Sequence, residues 1–202
     1  MTGPAIADAD ALRRARDAIE RDGWEAATME RLAAALGVSR MTLHRRGVRR
    51  EHLLAALGEL LQEEYRRALW PALTAPGSGR ERLALALDGL CAVTERNLAL
   101  LAALDSAERD EIFHARAAGA HERTAGGVLT DQLFTEPLQA LLRDGIADGT
   151  LALDAEETVD EVATVLFNLL SWTYRHLRLG HRWPPRRAAE AVTRRAVRSV
   201  AA

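Results

Sequence analysis

The stretch from Leu36 to Arg50 carries the side chains with the clearest chemical meaning. It contains five arginines and one histidine but no aspartate or glutamate. A short helix after Ser39 would expose arginine, methionine, threonine and histidine together, at Arg40, Met41, Thr42, His44 and Arg45. Arginine suits guanine edges and phosphates, and threonine or methionine suits the thymine methyl group. These residue types predict a surface for the major groove of double-stranded DNA.

Two short helices and a tight turn must position this surface. Thr28 is a good N-cap for the first helix, and the turn Gly37-Val38-Ser39 separates it from the second, which Ser39 caps. Gly37 suits the positive-φ end of a helix, and Ala33 is small enough to allow close packing. The shared apolar seam is formed by Leu32, Leu36, Val38 and Leu43. The pattern predicts a helix-turn-helix.

Composition sets the broad class of protein. The 202 residues carry 27 basic side chains, all arginine, against 29 acidic ones, and 48% of residues are hydrophobic. No apolar run approaches the roughly 18 residues of a membrane helix, and no export signal precedes the first helix. The single cysteine, Cys91, excludes an intrachain disulfide and a cysteine cluster for zinc. We expect a cytoplasmic, helix-rich protein without cofactor or metal.

The charge balance differs along the chain. Residues 1–55 hold ten arginines and eight acids, whereas the remainder holds 17 arginines and 21 acids. A local basic excess is the footprint of a polyanion-binding surface. The sequence therefore predicts a basic module joined to an acidic helical body.

Helical apolar spacing runs through the whole chain, and strands have almost no support. The first four helices are predicted at 9–21, after Thr28, from Ser39, and from Arg50 to Trp70, where Pro71 should end the fourth. Later helices are predicted at 80–104, 107–118 and 124–147, with a restart at Thr135. Asp154 should cap a long helix that ends at Gly180, and Pro184-Pro185 should open the last one.

Residues 6–60 resemble the DNA-binding module of the TetR (tetracycline repressor) family. The stretch RDGWEAATMERLAAALGVSRMTLHRR follows the family's order of helix, Gly-aromatic turn, Thr-capped helix, Gly-Val-Ser turn and recognition helix. The resemblance implies an all-α fold with a helix-turn-helix domain at 6–55, a connecting fourth helix at 50–70, and an effector-binding and dimerisation domain at 72–202. It also implies that Thr28 binds phosphate and that Arg40, Met41 and Thr42 face bases.

Two positions differ in residue type from the family pattern but keep its chemistry. His44 stands where the family usually has a phosphate-binding tyrosine, and Arg50 stands where it usually has a phosphate-binding lysine.

The family usually has an aromatic residue that packs into the core of the module at the position of Gly47. Because this chain lacks it, Val48 is expected to pack in its place. The fourth helix also lacks a good N-cap. The predicted DNA-contact residues are Thr28, Ser39, Arg40, Met41, Thr42, His44, Arg45 and Arg50.

The helices after residue 80 contain polar and aromatic residues that could line an effector cavity, although ordinary packing explains each one as well. The candidates are Cys91, Thr94, Phe113, His114, Asn168 and Trp172, with His121 and Tyr174 as further possibilities. His114 and His121 are seven residues apart and could share a helix face, but a helix break at Ala118-Gly119 between them argues against a metal site. His176 and His181 are five apart across a glycine, which is poor spacing for one ligand set, so no metal is predicted.

The resemblance implies a homodimer through the helices at about 154–179 and 185–200. The sequence allows this, because the first of them is apolar over most of its circumference. Two recognition helices about 34 Å apart would read a palindromic operator. We therefore expect a ligand-responsive transcription regulator, in the role of a repressor, that an unknown small molecule releases from its operator. The alternative is a helical enzyme or an adaptor protein without DNA binding, but no nucleophile motif or phosphate loop supports an enzyme.

Overall fold

The computed structural model describes residues 8–117 and 135–202, with side chains described at 8–107 and 135–202. Six helices precede residue 118: α1 Ala9–Asp22, α2 Met29–Leu36, α3 Arg40–Arg45, α4 Arg50–Thr74, α5 Gly79–Arg96 and α6 Leu98–Ala117. The second range contains α7 Glu136–Ala147, α8 Val159–Asn168 and α9 Pro185–Ser199. The predicted all-α fold is confirmed. None of the described helices is long and apolar enough to cross a membrane.

The chain divides into two compact units that do not follow chain order. Met1–Glu63 and Arg96–Glu122 belong to the first unit, and Glu64–Glu95 and Arg123–Ala202 belong to the second. Helix α6 therefore groups with the N-terminal helices, whereas the sequence places every residue after 72 in one C-terminal body. The boundaries near residues 55 and 72 stay a prediction.

A carboxylate joins helix α1 to helix α6 within the first unit. Glu20 accepts hydrogen bonds from the backbone N–H groups of Ala99 and Leu100, both at 2.9 Å. The first N–H groups of a helix have no partner inside it, so this side chain satisfies two donors at the start of α6. Burial raises the pKa of Glu20, and the two backbone hydrogen bonds only partly oppose that effect.

We expect the raised pKa of Glu20 to appear in the pH dependence of stability. A carboxyl whose folded pKa lies above its ordinary value of 4.5 stabilises the fold fully in acid, and this contribution is lost as pH rises through the folded pKa. Between about pH 4 and about pH 7, wild type should therefore lose more unfolding free energy than Glu20→Gln. Urea unfolding at both pH values checks this, with the exposed Glu25→Gln as control. An equal pH dependence in all three proteins would contradict it.

Two predicted helix ends are wrong. Helix α4 passes through Pro71 and ends at Thr74, and the predicted helix 80–104 is two helices. Proline removes only one N–H from the last turn of α4, and the Arg82 guanidinium binds the carbonyl oxygens of Ala72 and Leu73, each at 2.9 Å. These bonds satisfy carbonyls that would otherwise lack partners, so the helix can continue beyond the proline.

Thr158, and not Asp154, caps helix α8. The Thr158 side chain accepts from the Glu161 N–H, and the Glu161 carboxylate accepts from the Thr158 N–H at 2.9 Å, which is a complete capping box. After Asn168 the helix widens into π-helical turns at Leu169–Thr173 and His176–Gly180. Its predicted end at Gly180 is confirmed.

An ion pair fastens the end of this widened helix to α5 in the second unit. The Arg178 guanidinium donates to both Glu95 carboxylate oxygens, at 2.7 and 2.6 Å, and the Tyr174 hydroxyl donates to Oε2 at 2.8 Å. Burial by itself would raise the pKa of Glu95, but the hydrogen bonds from Arg178 and Tyr174 outweigh it and lower that pKa. The bidentate geometry makes this a strong pair for a partly buried position.

Candidate nucleic-acid interface

The turn between α2 and α3 has the geometry that the sequence predicts. Gly37 lies in the left-handed region at φ +76° and ψ +23°. Its N–H donates to Ala34 O, and the Val38 N–H donates to Ala33 O, both at 3.0 Å. This pair of bonds is a Schellman motif, which satisfies carbonyls at the end of α2 and turns the chain into α3.

Both helices of the pair have the predicted caps. The Thr28 hydroxyl accepts from the Arg31 N–H at 3.4 Å, and the Ser39 hydroxyl accepts from the Thr42 N–H at 3.1 Å. The hydroxyl oxygens of Ser39 and Thr42 also lie 2.9 Å apart, within hydrogen-bond distance. The Thr42 hydroxyl therefore takes part in the cap, while its methyl group is not committed to a hydrogen bond.

Packing fixes which face of α3 is exposed. Leu43 is fully buried, as are Leu32 and Ala33 of α2, which confirms the predicted seam between the helices. The positions around Leu43 are open to solvent, with the Met41 side chain 63% exposed. The exposed set comprises Arg40, Met41, His44, Arg45 and Arg46, with Thr42 half-buried. One side of a short helix thus presents three arginines, a histidine and a methionine.

The start of α4 shows how the chain departs from the family pattern. Val48 is 6% exposed, and its N–H donates to Leu43 O, so it packs where the aromatic residue of the family was expected. The Arg49 N–H donates to Nδ1 of His52 at 3.3 Å, and this side chain supplies the missing cap. Gly47 reaches φ +66°, a conformation that the turn between α3 and α4 requires.

Arg50 has a partner inside the module. Its guanidinium carbon lies 4.0 Å from the centroid of the Trp24 ring, and the side chain also donates to the Trp24 carbonyl oxygen. A stacked guanidinium keeps charge available at its edge while the ring covers its face. Arg50 thus ties the loop between α1 and α2 to the start of α4, and phosphate binding by its remaining donors stays a prediction.

Helix α1 is also anchored to the pair. The Nε atom of Arg14 donates to Ala35 O at 3.1 Å, near the end of α2, where a cation is favourable. This role of Arg14 could not be predicted from sequence, because the contact joins residues 21 positions apart. A contact between a basic side chain and the end of a neighbouring helix can be identified only when the packing of the helices is known.

A separate cleft lies within the second unit, between α5 and α9. Its volume is about 470 Å³, a size that suits a small organic molecule. It is lined in part by Asp88, Cys91, Glu95, Tyr174, Arg186 and Glu190. Most of these residues were not predicted, since they come from helices that are distant in sequence.

Of the predicted effector residues whose side chains the structure describes, Cys91 and the further possibility Tyr174 line this cleft. Cys91 is 1% exposed, and burial, with the nearby Asp88 charge, raises the pKa of its thiol to about 12. Thr94 is buried and bonded to Leu90 O and Tyr65 Oη, both at 2.9 Å. The side chains of Phe113 and His114, and all of His121, lie outside the described residues.

Asn168 and Trp172 lie on an exposed stripe of the helix that begins with α8. Exposed residues recur there at intervals of three and four, which is the spacing of one helix face. The stripe consists of Glu161, Val165, Asn168, Trp172, His176 and Leu179. Val165, Trp172 and Leu179 are 63%, 59% and 55% exposed. Apolar side chains spaced along one open face indicate a surface for another helix.

The structure brings His176 and His181 together, with ring centroids 4.9 Å apart. Their spacing in sequence did not indicate this, because the chain turns between them after Gly180. In the part of the chain that the structure describes, no group of three or more histidine, cysteine or acidic side chains could hold a metal ion.

Comparison with known proteins agrees with this geometry. Residues 11–57 match the family model described as bacterial regulatory proteins, tetR family, which covers α1, the helix-turn-helix and the start of α4. None of the curated proteins matches the chain.

Solved structures share the fold over almost the whole chain. A TetR family transcriptional regulator from Thermus thermophilus, PfmR, has a TM-score of 0.63 at 22% identity, covering 93% of this chain and 97% of its own. FadR from Bacillus subtilis, solved with stearoyl-CoA, has a TM-score of 0.67 at 14% identity, covering 94% and 97%. RolR, solved with resorcinol, has a TM-score of 0.61 at 16% identity, covering 96% and 86%.

At these identities the solved structures establish the fold alone, and the family model identifies the module. That module contains a complete helix-turn-helix with both caps and an exposed basic second helix. The chain thus contains a module that matches the tetR family of bacterial regulatory proteins at residues 11–57, within a fold that it shares with solved TetR family regulators.

Proposed function

We propose that this protein is a transcriptional repressor that binds a near-palindromic operator as a homodimer and leaves it when a small molecule occupies the second unit. The observation that carries the proposal is the exposed face of α3, where Arg40, His44 and Arg45 surround Met41 while Leu43 anchors the helix. A helix held by one buried residue can present its other side chains to a groove in a fixed orientation.

Each predicted DNA residue has a role that fits its position. Arg40, Met41 and the methyl group of Thr42 lie in the first turn of α3, where recognition helices meet base edges. Thr28, His44, Arg45 and Arg50 are assigned to phosphates, and Ser39 orients the helix through its cap. Base contacts supply sequence preference, and phosphate contacts supply affinity and position.

The exposed stripe from Glu161 to Leu179 supports the homodimer. Val165, Trp172 and Leu179 lie on one open face, and burying them against a second copy would remove them from water. The outer face of α9 is different, because its exposed residues are mainly arginines. We therefore assign the apolar part of the interface to the helix at 159–180.

The cleft between α5 and α9 is the proposed effector site. Its volume suits a compact organic ligand, and it combines apolar side chains with the charged groups of Asp88, Arg186 and Glu190. Two proteins of the same fold were solved with small molecules, stearoyl-CoA and resorcinol. Those ligands support a ligand-responsive role here without naming the effector.

Gel retardation with the DNA upstream of the protein's own gene tests the function. A repressor of this kind should retard a specific fragment, and the affinity should fall steeply as salt rises from about 50 to about 200 mM, because phosphate contacts release counterions. Compounds are then tested for release of the retarded fragment. An enzyme or an adaptor would show no sequence-dependent retardation, and that result would refute the proposal.

A further inference from the structure

The cleft between α5 and α9 is lined by charged side chains of both signs. Asp88, Glu95 and Glu190 contribute carboxylates to it, and Arg186 contributes a guanidinium. A small molecule is oriented in such a cleft by the few polar groups that remain available to it. The kind of molecule that the cleft suits therefore depends on which of these charges lacks a counter-charge of its own.

Two of the three carboxylates already have an arginine partner. The Arg178 guanidinium donates to both oxygens of Glu95, and the shorter of these bonds is 2.6 Å long. Glu190 accepts from the Nε atom of Arg186 at 2.7 Å, one turn away on α9. Each pair is close to neutral as a unit, so neither of them favours a charged molecule of either sign.

Asp88 differs from the other two carboxylates because its partner is neutral. Its Oδ1 atom accepts from the Thr193 hydroxyl at 2.7 Å, and in the part of the chain that the structure describes it forms no ion pair with an arginine. Thr193 is buried on α9, so this bond holds the carboxylate between the two helices. Asp88 is itself exposed, and a molecule that enters the cleft can therefore reach its Oδ2 atom.

The surroundings of Asp88 within the cleft are mainly apolar. Cys91 and Ala92 follow it along α5, and α9 adds Pro185 and Ala189 to the lining. The charge of Asp88 acts inside the cleft, because it contributes, after burial, to the raised pKa of the Cys91 thiol. A carboxylate beside apolar side chains attracts a cation more strongly than it would in water. The lining therefore suits an apolar body that carries one positive charge.

We propose that the effector is a compact organic cation, a protonated amine whose N–H groups donate to the Asp88 carboxylate while its apolar body lies against Cys91 and Ala189. This inference rests on the proposed function, because it names the class of molecule for the effector site given there. A neutral molecule would cover Asp88 without supplying a counter-charge, and an anion would be repelled by it. Arg186 does not reverse this preference, since its charge is already paired with Glu190.

Calorimetric titration of the full chain with matched compounds tests the proposal. Naphthylmethylamine, naphthylmethanol and naphthoate share one apolar body and are cationic, neutral and anionic at about pH 7. The same three groups are also tested on cyclohexyl and hexyl bodies, so that the result does not depend on one shape. We expect the amine of at least one body to bind about tenfold or more tightly than its alcohol and its carboxylate. If no amine binds more tightly than its alcohol, the proposal is overturned.

Substitutions at Asp88 show whether its carboxylate causes the preference. Asp88→Asn keeps the size of the side chain and an oxygen that can accept from Thr193, so it should bind the amine about tenfold more weakly and the alcohol equally well. Asp88→Lys should reverse the preference, so that the carboxylate binds more tightly than the amine. Asp154→Asn is the control, since Asp154 is exposed and lies outside the cleft, and thermal unfolding shows that each variant is folded. Unchanged amine binding by Asp88→Asn would overturn the proposal.

The outcomes separate this inference from the proposed function. Release of the operator by neutral or anionic compounds, equally in wild type and Asp88→Asn, would overturn the cationic effector and support the repressor. An amine that binds through Asp88 without releasing the operator would support the cation site and contradict release by a molecule in this cleft. Calorimetry needs no DNA, so a chain that retarded no operator would refute the proposed function while the amine preference stood.

Discussion

Replacing Arg40 and Thr42 together by alanine is expected to lower operator affinity by about a hundredfold or more. A side chain that reads a base edge contributes about 1–3 kcal/mol of binding free energy that discriminates between bases. When both losses lie near the middle of that range, their sum lowers the affinity for the operator by more than a factor of about 100. Thr42→Ala also removes the hydroxyl that lies 2.9 Å from Ser39 Oγ, although the Ser39 cap to the Thr42 N–H remains. Fluorescence anisotropy on the operator measures the change.

The matched control is Arg143→Ala, which removes an exposed arginine from α7, outside the module. It should bind the operator like wild type, because its charge lies on another element. Both proteins should unfold at nearly the wild-type temperature, since Arg40 is exposed and Thr42 is only half-buried. Unchanged affinity of the double variant would show that α3 does not read the operator.

Gly79→Ala is expected to destabilise the second unit by about 3 kcal/mol or more. A Cβ atom at Gly79 would lie 2.2 Å from Gly145 Cα and 2.4 Å from Gly145 N, so it would meet backbone that cannot rotate away. Helices α5 and α7 would have to separate, which would also disturb the 2.6 Å hydrogen bond from the Gly79 N–H to Asp148. Circular dichroism should show a lower melting temperature.

Gly58→Ala provides the control, because the same change is made at a helical glycine with room around it. The nearest atom to its Cβ would be Leu104 Cδ2 at 3.6 Å, which is ordinary contact. Alanine is favoured over glycine in a helix interior by about 1 kcal/mol, so this variant should be slightly more stable than wild type. If the two variants lost equal stability, close packing at Gly79 would not be the cause.

The DNA-binding module could be predicted from sequence because its determinants are local. Thr28, Gly37 and Ser39 act on backbone groups within a few residues, and Leu43 packs against a helix only seven residues away. Caps and turns of this kind leave a signature in the order of residue types. The resemblance to the family pattern, by contrast, was the basis for expecting Val48 to pack in place of the missing aromatic residue, and Val48 is buried.

Features that depend on distant residues could not be predicted in the same way. Glu20 caps a helix about 80 positions away, and the cleft brings Cys91 beside Tyr174 and Arg186. No spacing rule relates such residues. Trp172 illustrates the opposite difficulty: an aromatic residue in an apolar helix fits a cavity wall and an exposed stripe equally well, and only its 59% exposure separates them.

Helix ends near residues 71 and 154 show how tertiary partners override local signals. Pro71 is a strong stop signal in sequence, yet Arg82 satisfies the carbonyls of the turn that follows it. Asp154 and Thr158 are both good N-caps, and Thr158 prevails because Glu161 lies where it completes a capping box. The Thr158–Glu161 capping box is itself a sequence pattern, so residue types alone favour a helix start at Thr158 over one at Asp154.

Selection of bound duplexes from a random library tests the central claim most directly, because it assumes no operator. Full-length wild type and the Arg40→Ala, Thr42→Ala variant are each carried through the same rounds at fixed salt. Wild type should enrich a two-fold-related sequence whose half-sites are about 34 Å apart, and the variant should lose that preference while keeping residual phosphate binding. Enrichment of the same sequence by both proteins, or of none by wild type, would contradict a sequence-specific regulator acting through α3.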